Sequence, residues 1–162
     1  MIVTLTETQM KIALGHGRVR TKAARSLKRF DNKTRDLDGL TIDALGVAGE
    51  MAASIVTGIE WTGMFISRAA IKARMGKSIP DLGTDIEVRT TMKPTYRLMV
   101  HRNDPSDWRF ILVRRIEDAT FDVVGWQYGH EVKQKKLWNP TLHYPCYLYP
   151  TAWLRPIEEL DD

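Results

Sequence analysis

Asp81, Asp85, Glu87 and Arg89 fall within the twelve residues Pro80–Thr91, PDLGTDIEVRTT. Carboxylates gathered beside a fixed cation form a donor set for a hard divalent metal, which takes oxygen ligands and leaves the rest of its shell to water or phosphate. Asp85, Glu87 and Arg89 alternate with Ile86 and Val88, so an extended chain sets three charges on one face and two β-branched side chains on the other. Asp81 sits behind Pro80 and before Leu82-Gly83-Thr84, a turn-like segment able to fold it back toward Glu87. Asp85 lies about 7 Å along the same strand face from Glu87, so it is an alternative to Asp81 as the partner ligand. On charge pattern alone, the three alternating charges also read as an exposed strand face of balanced charge. A further acid, Glu50, stands by itself among Gly46, Ala48, Gly49, Ala52 and Ala53, and a glutamate on a helix most often faces solvent.

These residues need elements to hold them. Thr6 to about Phe30 reads as helix, with a break expected at Gly15-His16-Gly17 because two glycines in three residues are costly in a helix interior. Beyond it Val19, Ala23, Leu27 and Phe30 recur at helical spacing as a packing face, and Arg18, Lys22, Arg25 and Arg29 form an adjacent basic stripe. Asp31–Gly39 reads as a loop. A second helix, capped by Thr41 or Asp43 and ending near Thr57, carries Glu50, and its small residues suit close approach to a sheet. Ile59–Lys77 reads as a short basic helix or a loop over the site. Asp85–Thr91, Tyr96–His101, Trp108–Arg115 and Thr120–Trp126 are strand candidates, and consecutive antiparallel pairing is their simplest connection. His130–Trp138 suits a short helix, Cys146–Tyr149 an edge strand, and the aromatic, proline-rich tail a wrapping segment. The fold class expected is therefore α/β (α+β), with N-terminal helices followed by a mixed, mainly antiparallel sheet of at least four strands.

A chain of 162 residues, 43% hydrophobic and 27% charged, has the length and composition of one ordered domain rather than a disordered chain. Its charge is segregated. Residues 1–35 hold nine cations against two acids, a net +7, whereas the remainder has fifteen against eighteen, a net −3. A segregated basic element is the footprint expected for a polyanion partner. The single cysteine, Cys146, excludes an internal disulfide and suits a reducing cytoplasm. No apolar run reaches membrane-spanning length, and the start has no secretory pattern. Histidines 16, 101, 130 and 143 lack metal-ligand spacing, and neither a phosphate-binding loop nor a nucleophile elbow is present.

A lone glutamate on a small-residue helix, then Pro-Asp, then a strand bearing Glu-x-Arg, resembles the PD-(D/E)xK nuclease superfamily, the restriction-endonuclease-like fold. More narrowly, GVAGE (Gly46–Glu50), DLGTDIEVRTT (Asp81–Thr91), Gly125-Trp126 and Leu154-Arg155-Pro156 look like a group of small phage and prophage proteins placed in it. The resemblance spans roughly Leu40 to Pro156. It divides the chain into a basic helical part, 1–38, and a nuclease-like core, 39–156, within one domain. It implies a cytoplasmic, phage- or prophage-encoded hydrolase of the bacterial host that cleaves DNA with Mg²⁺, or Mn²⁺ as substitute. Glu50, Asp81 and Glu87 would hold the metal, with Asp85 as alternative to Asp81, and Arg89 would contact the scissile phosphate. Arg18, Lys22, Arg25 and Arg29 would hold the nucleic-acid backbone. The motif lysine is Arg89 here, and arginine cannot act as a base, so Lys77 or Lys93 would have to reach the site or the cation alone would activate water. The arginine favours a second reading, a catalytically inactive phage accessory protein of this fold that binds DNA or a host protein. A homodimer is compatible with either, and a virion-assembly component is a third class.

Overall fold

The computed structural model describes residues 1–26, 39–63 and 79–160. The expected continuation of the first helix through Leu27 to Phe30, the loop 31–38, the basic segment from Phe65 to Lys77 and the side chains of Arg25 and Arg29 lie outside the described residues. The described residues form a mixed α+β structure with three α-helices and a mixed four-stranded sheet.

The order is β1 (Ile2–Thr4), α1 (Glu7–Ser26), α2 (Gly39–Thr57), β2 (Ile86–Thr91), β3 (Leu98–Val100), β4 (Arg109–Arg115), β5 (Thr120–Tyr128), α3 (Gly129–Val132), β6 (Trp138–Asn139) and β7 (Cys146–Tyr149). Thr6 and Gln9 start α1 with a reciprocal cap: Thr6 N–H donates to Gln9 Oε1 and Gln9 N–H to Thr6 Oγ1, satisfying two donors that the first turn leaves open. The helix then runs unbroken through Gly15 and Gly17. The expected break is overridden by packing, because a Cβ on Gly17 would lie 2.6 Å from Ala44 N. Glycine is there for a close helix crossing, and that contact offsets its poor propensity. Of the expected packing face, Val19 is exposed and the side chains of Ala23, Leu27 and Phe30 lie outside the described residues; Ala13, Gly17 and Thr21 are buried. Gly58, at φ +74°, ends α2 by donating its N–H to Ser54 O in the left-handed conformation glycine tolerates.

The main sheet has the order β1-β5-β4-β2 and the second sheet β3-β7-β6. Expected consecutive antiparallel pairing holds for β4 with β5 and fails before it. β2 pairs in parallel with β4, and β3 leaves the sheet to pair antiparallel with β7. The apolar run Phe110–Val113 explains this: it is buried on both faces, so β4 must be central and sandwiched. Ile111 and Val113 pack with Val47, Ala48, Met51 and Ala52 of α2, and Phe110 and Leu112 pack with Leu98, Val100 and Tyr149 of the second sheet. Sequence reading missed β1, whose three residues pair with Thr120–Asp122 and carry too short a pattern to separate from a terminal extension. No helix among the described residues is long and apolar enough to cross a membrane.

Helix α2 can lie so close to β2 because Gly49 faces Thr90, where an added Cβ would meet Thr90 Oγ1 at 2.0 Å and Cβ at 2.9 Å. Gly49→Ala is expected to lower unfolding stability by roughly 1–3 kcal/mol, the cost of overpacking, despite alanine's better helix propensity. Urea denaturation measures this.

Candidate functional site

β2 is an edge strand, so one side of its backbone has no strand partner within the main sheet. The chain before it fills that edge. Leu82 N–H donates to Ile86 O and Ile86 N–H to Leu82 O, with Gly83 in the left-handed region at φ +52° between them. This turn brings Asp81 back along the strand. Asp81 N–H donates to Ile86 O at 2.8 Å, and its Oδ2 accepts the Val88 N–H at 2.8 Å. A carboxylate thus takes a place a neighbouring strand would have taken.

Glu50 comes from the helix layer and is buried, not solvent-facing. Arg20 of α1 holds it with two parallel bonds, Nη1 to Oε1 at 2.5 Å and Nη2 to Oε2 at 2.8 Å. Trp61 Nε1 adds a third donor at 3.0 Å to Oε2. Trp61 is placed because its segment is tied to the Asp81 turn: Thr62 N–H donates to Asp81 O and Gly83 N–H to Glu60 O. The ring of His16, one helical turn before Arg20, lies 5.0 Å from that of Trp61.

Glu87 and Arg89 alternate with Ile86 and Val88, which pack on the helix side, so they project from the opposite face. There Arg89 is fully engaged. It pairs with Glu87 Oε1 at 2.9 Å and Asp104 Oδ2 at 2.7 Å, donates from Nε to Met99 O at 3.3 Å, and lies over the Phe110 ring. Asp104 also accepts the His101 N–H. Asp85 lies just before β2 and is held by Arg109, which donates from Nε to Oδ2 at 3.0 Å and from Nη2 to Oδ1 at 2.7 Å.

Electrostatics connect the three acids. Burial, then the neighbouring Glu50 and Glu87 carboxylates, hold the Asp81 carboxyl well above its ordinary range, against the opposing pull of the Val88 N–H and Arg20. Burial also raises Glu87, with Asp104 and Glu50 adding to it and Arg89 opposing. Burial works against the charge of Arg20 and Arg89 but is outweighed by their carboxylate partners, so both stay cationic. His16 is lowered by burial and by Arg20.

The sequence-derived residues Glu50, Asp81 and Glu87 therefore influence one another's ionisation, from a helix, a turn and a strand. Asp85 is drawn to β4 instead. Arg89 is a brace between strands rather than a free guanidinium. Lys93 is exposed beyond the end of β2. Arg18 and Lys22 are exposed one turn apart on α1. Sequence reading missed Arg20, Trp61 and Asp104. The spacing His16–Arg20, on the same side of the helix as Ala13 and Gly17, was the available signal for Arg20. Trp61 and Asp104 reach the site through tertiary pairing that no local pattern displays.

Among the described residues no three or more His, Cys, Asp or Glu side chains are placed to hold one metal ion together. The donor chemistry still suits Mg²⁺, which commonly takes one or two carboxylates and fills its shell with water and phosphate oxygens. Asp81 and Glu87 are both made reluctant to ionise, chiefly by burial, and a cation beside either would relieve that. A half-open apolar cavity of about 350 Å³, lined by Met10, Leu14, Leu45, Ala48 and Phe121 among others, shares none of these acids.

The chain matches no protein-family model, no curated protein and no solved structure.

An acid raised in the folded state binds its proton more tightly there than in the unfolded chain, so stability is present at low pH and falls as pH rises from the unfolded pKa through the folded one. Asp81→Asn, whose amide oxygen still accepts the Val88 N–H, is expected to be more stable than wild type at pH 7, with the gain vanishing toward pH 4. Urea denaturation across that range checks it.

Proposed function

We propose that the chain is a phage- or prophage-encoded nuclease of the restriction-endonuclease-like fold that hydrolyses DNA phosphodiesters with Mg²⁺, or with Mn²⁺ in its place. The observation that carries this reading is the Asp81 carboxyl on the outer edge of β2, with Glu50 and Glu87 both acting on it. Two like charges beside a half-buried third are costly unless a proton or a cation joins them. The helix glutamate, turn aspartate and strand glutamate also occur in the order the resemblance implies.

Asp81 and Glu87 would hold the ion. Bound there, Mg²⁺ would neutralise charge developing on the phosphodiester and lower the pKa of an attacking water. Asp81 is oriented by the Val88 N–H. Glu87 is oriented by Arg89, which is itself fixed by Asp104 and Met99 O, so the arginine's role moves from phosphate contact to aiming a carboxylate. Arg109 keeps Asp85 away. Arg18 and Lys22 present two cations along the exposed side of α1, and Arg25 and Arg29 continue that spacing in sequence, a run suited to successive phosphates.

One observation favours the second reading, a binding protein without the reaction: each of the three guanidinium nitrogens of Arg89 has a partner within the protein, so the basic group of the strand motif is held in the fold rather than presented to a substrate. A cleavage screen over duplex, single-stranded and branched DNA and RNA, with Mg²⁺ and Mn²⁺, separates the two. Cleavage that disappears with chelator is the expected result; binding without cleavage of any form would support the accessory protein. Asp81→Asn and Glu87→Gln are each expected to reduce cleavage more than about 100-fold, beyond the usual cost of losing a supporting partner. Arg18→Gln with Lys22→Gln should leave cleavage chemistry intact and flatten the dependence of log K on log salt by about 0.9 per lost phosphate contact on duplex DNA. An unchanged slope would make the stripe a solvated surface.

A further inference from the structure

We infer that Arg20 is a built-in cation that withholds Glu50 from metal binding, so that the acid site takes one divalent ion, at Asp81 and Glu87, and Glu50 acts as a positioning residue. This rests on the reading of Asp81 and Glu87 as a metal site.

Five observations support it. Both oxygens of Glu50 are occupied, by two guanidinium N–H groups and the Trp61 indole N–H. Glu50 is 4% exposed, so water cannot replace Arg20 cheaply, and a paired, desolvated guanidinium is far harder to displace than a surface one. Arg20 cannot wander, because α1 is fixed on both sides of it: Gly17 lies against Ala44, and Thr21 Oγ1 donates to Asp43 Oδ2 at 2.5 Å. The guanidinium is committed to this pair at a cost, since its Nε is buried without an acceptor. Glu50 also approaches from the helix side of β2, whereas Glu87 leaves the other face, with Asp81 on the edge between them. A bidentate arginine supplies +1 with fixed geometry, the neutralisation that a second metal ion would otherwise provide.

Direct titration with Mn²⁺ alone, by calorimetry or by the loss of the free-ion paramagnetic resonance signal, tests this without any substrate. Wild type is expected to take up one Mn²⁺ per chain. Arg20→Gln, shown to be folded by circular dichroism, is expected to take up a second, because Glu50 is then an unpaired acid beside Asp81. Two ions in wild type, or no change in Arg20→Gln, would overturn the inference. The double variant Arg20→Met with Glu50→Met removes the pair together, and is expected to keep one Mn²⁺ with affinity within about threefold, since such pairs are often replaceable by apolar side chains. A loss of tenfold or more would show Glu50 to be a ligand. No uptake by wild type would remove the metal reading of Asp81 and Glu87; uptake by Arg20→Gln that depends on Glu50 would still support the withholding role, and its absence would end that too.

Discussion

A carboxylate taken out of water must be compensated, and this fold buries one and half-buries two more around one edge of one sheet. Each is compensated by a different device. Glu50 receives a whole guanidinium and an indole N–H, Asp81 receives a backbone N–H and is biased toward its neutral form, and Glu87 receives an arginine shared with Asp104. The placement of α1 against α2, the turn before β2 and the loop after β3 follow from those needs, because each delivers one compensating group. Removing the Arg20 guanidinium alone would leave the buried Glu50 without its ionic partner, which costs far more than the pair contributes in net stability.

The turn at Leu82–Ile86 shows how backbone and site are one problem. An open strand edge presents unpaired N–H and C=O groups that invite another chain. Here the preceding residues close part of that edge themselves, through Asp81 N–H to Ile86 O and the Asp81 side chain to Val88 N–H. The acid proposed as a metal ligand is also the group that protects the edge.

Much of this could be read along the chain, and the failures have physical causes. Pro-Asp followed by a turn and an alternating Glu-x-Arg strand is local, so the return of Asp81 toward Glu87 was legible. Glu50 was legible by contrast with its small neighbours, and its burial follows from the close approach that Gly49 permits over Thr90. Pairing order was not legible: β2 and β4 are neighbours in parallel only because β3 departs to another sheet, and no residue in β3 announces it. The break expected at Gly15-His16-Gly17 failed because propensity is a weak local term and the Gly17–Ala44 crossing a strong tertiary one. Arg20 was hidden because it lies on the buried side that Ala13 and Gly17 define rather than in the expected basic stripe. Arg89 was recognised as a departure, but its neighbours Asp104 and Met99 lie ten or more positions away and come from the element whose position was misjudged.

Arg89 stands on the main sheet, yet its Nε donates to Met99 O in β3, the first strand of the second sheet. The same side chain therefore belongs to the acid site and to the seam between two layers. Reciprocity of coupled equilibria follows: any ligand that draws Glu87 away from Arg89 changes the hold of one sheet on the other, and any partner that grips the second sheet changes how readily Glu87 can be drawn. Occupancy of the edge and the tightness of the sandwich are thereby two readings of one free energy.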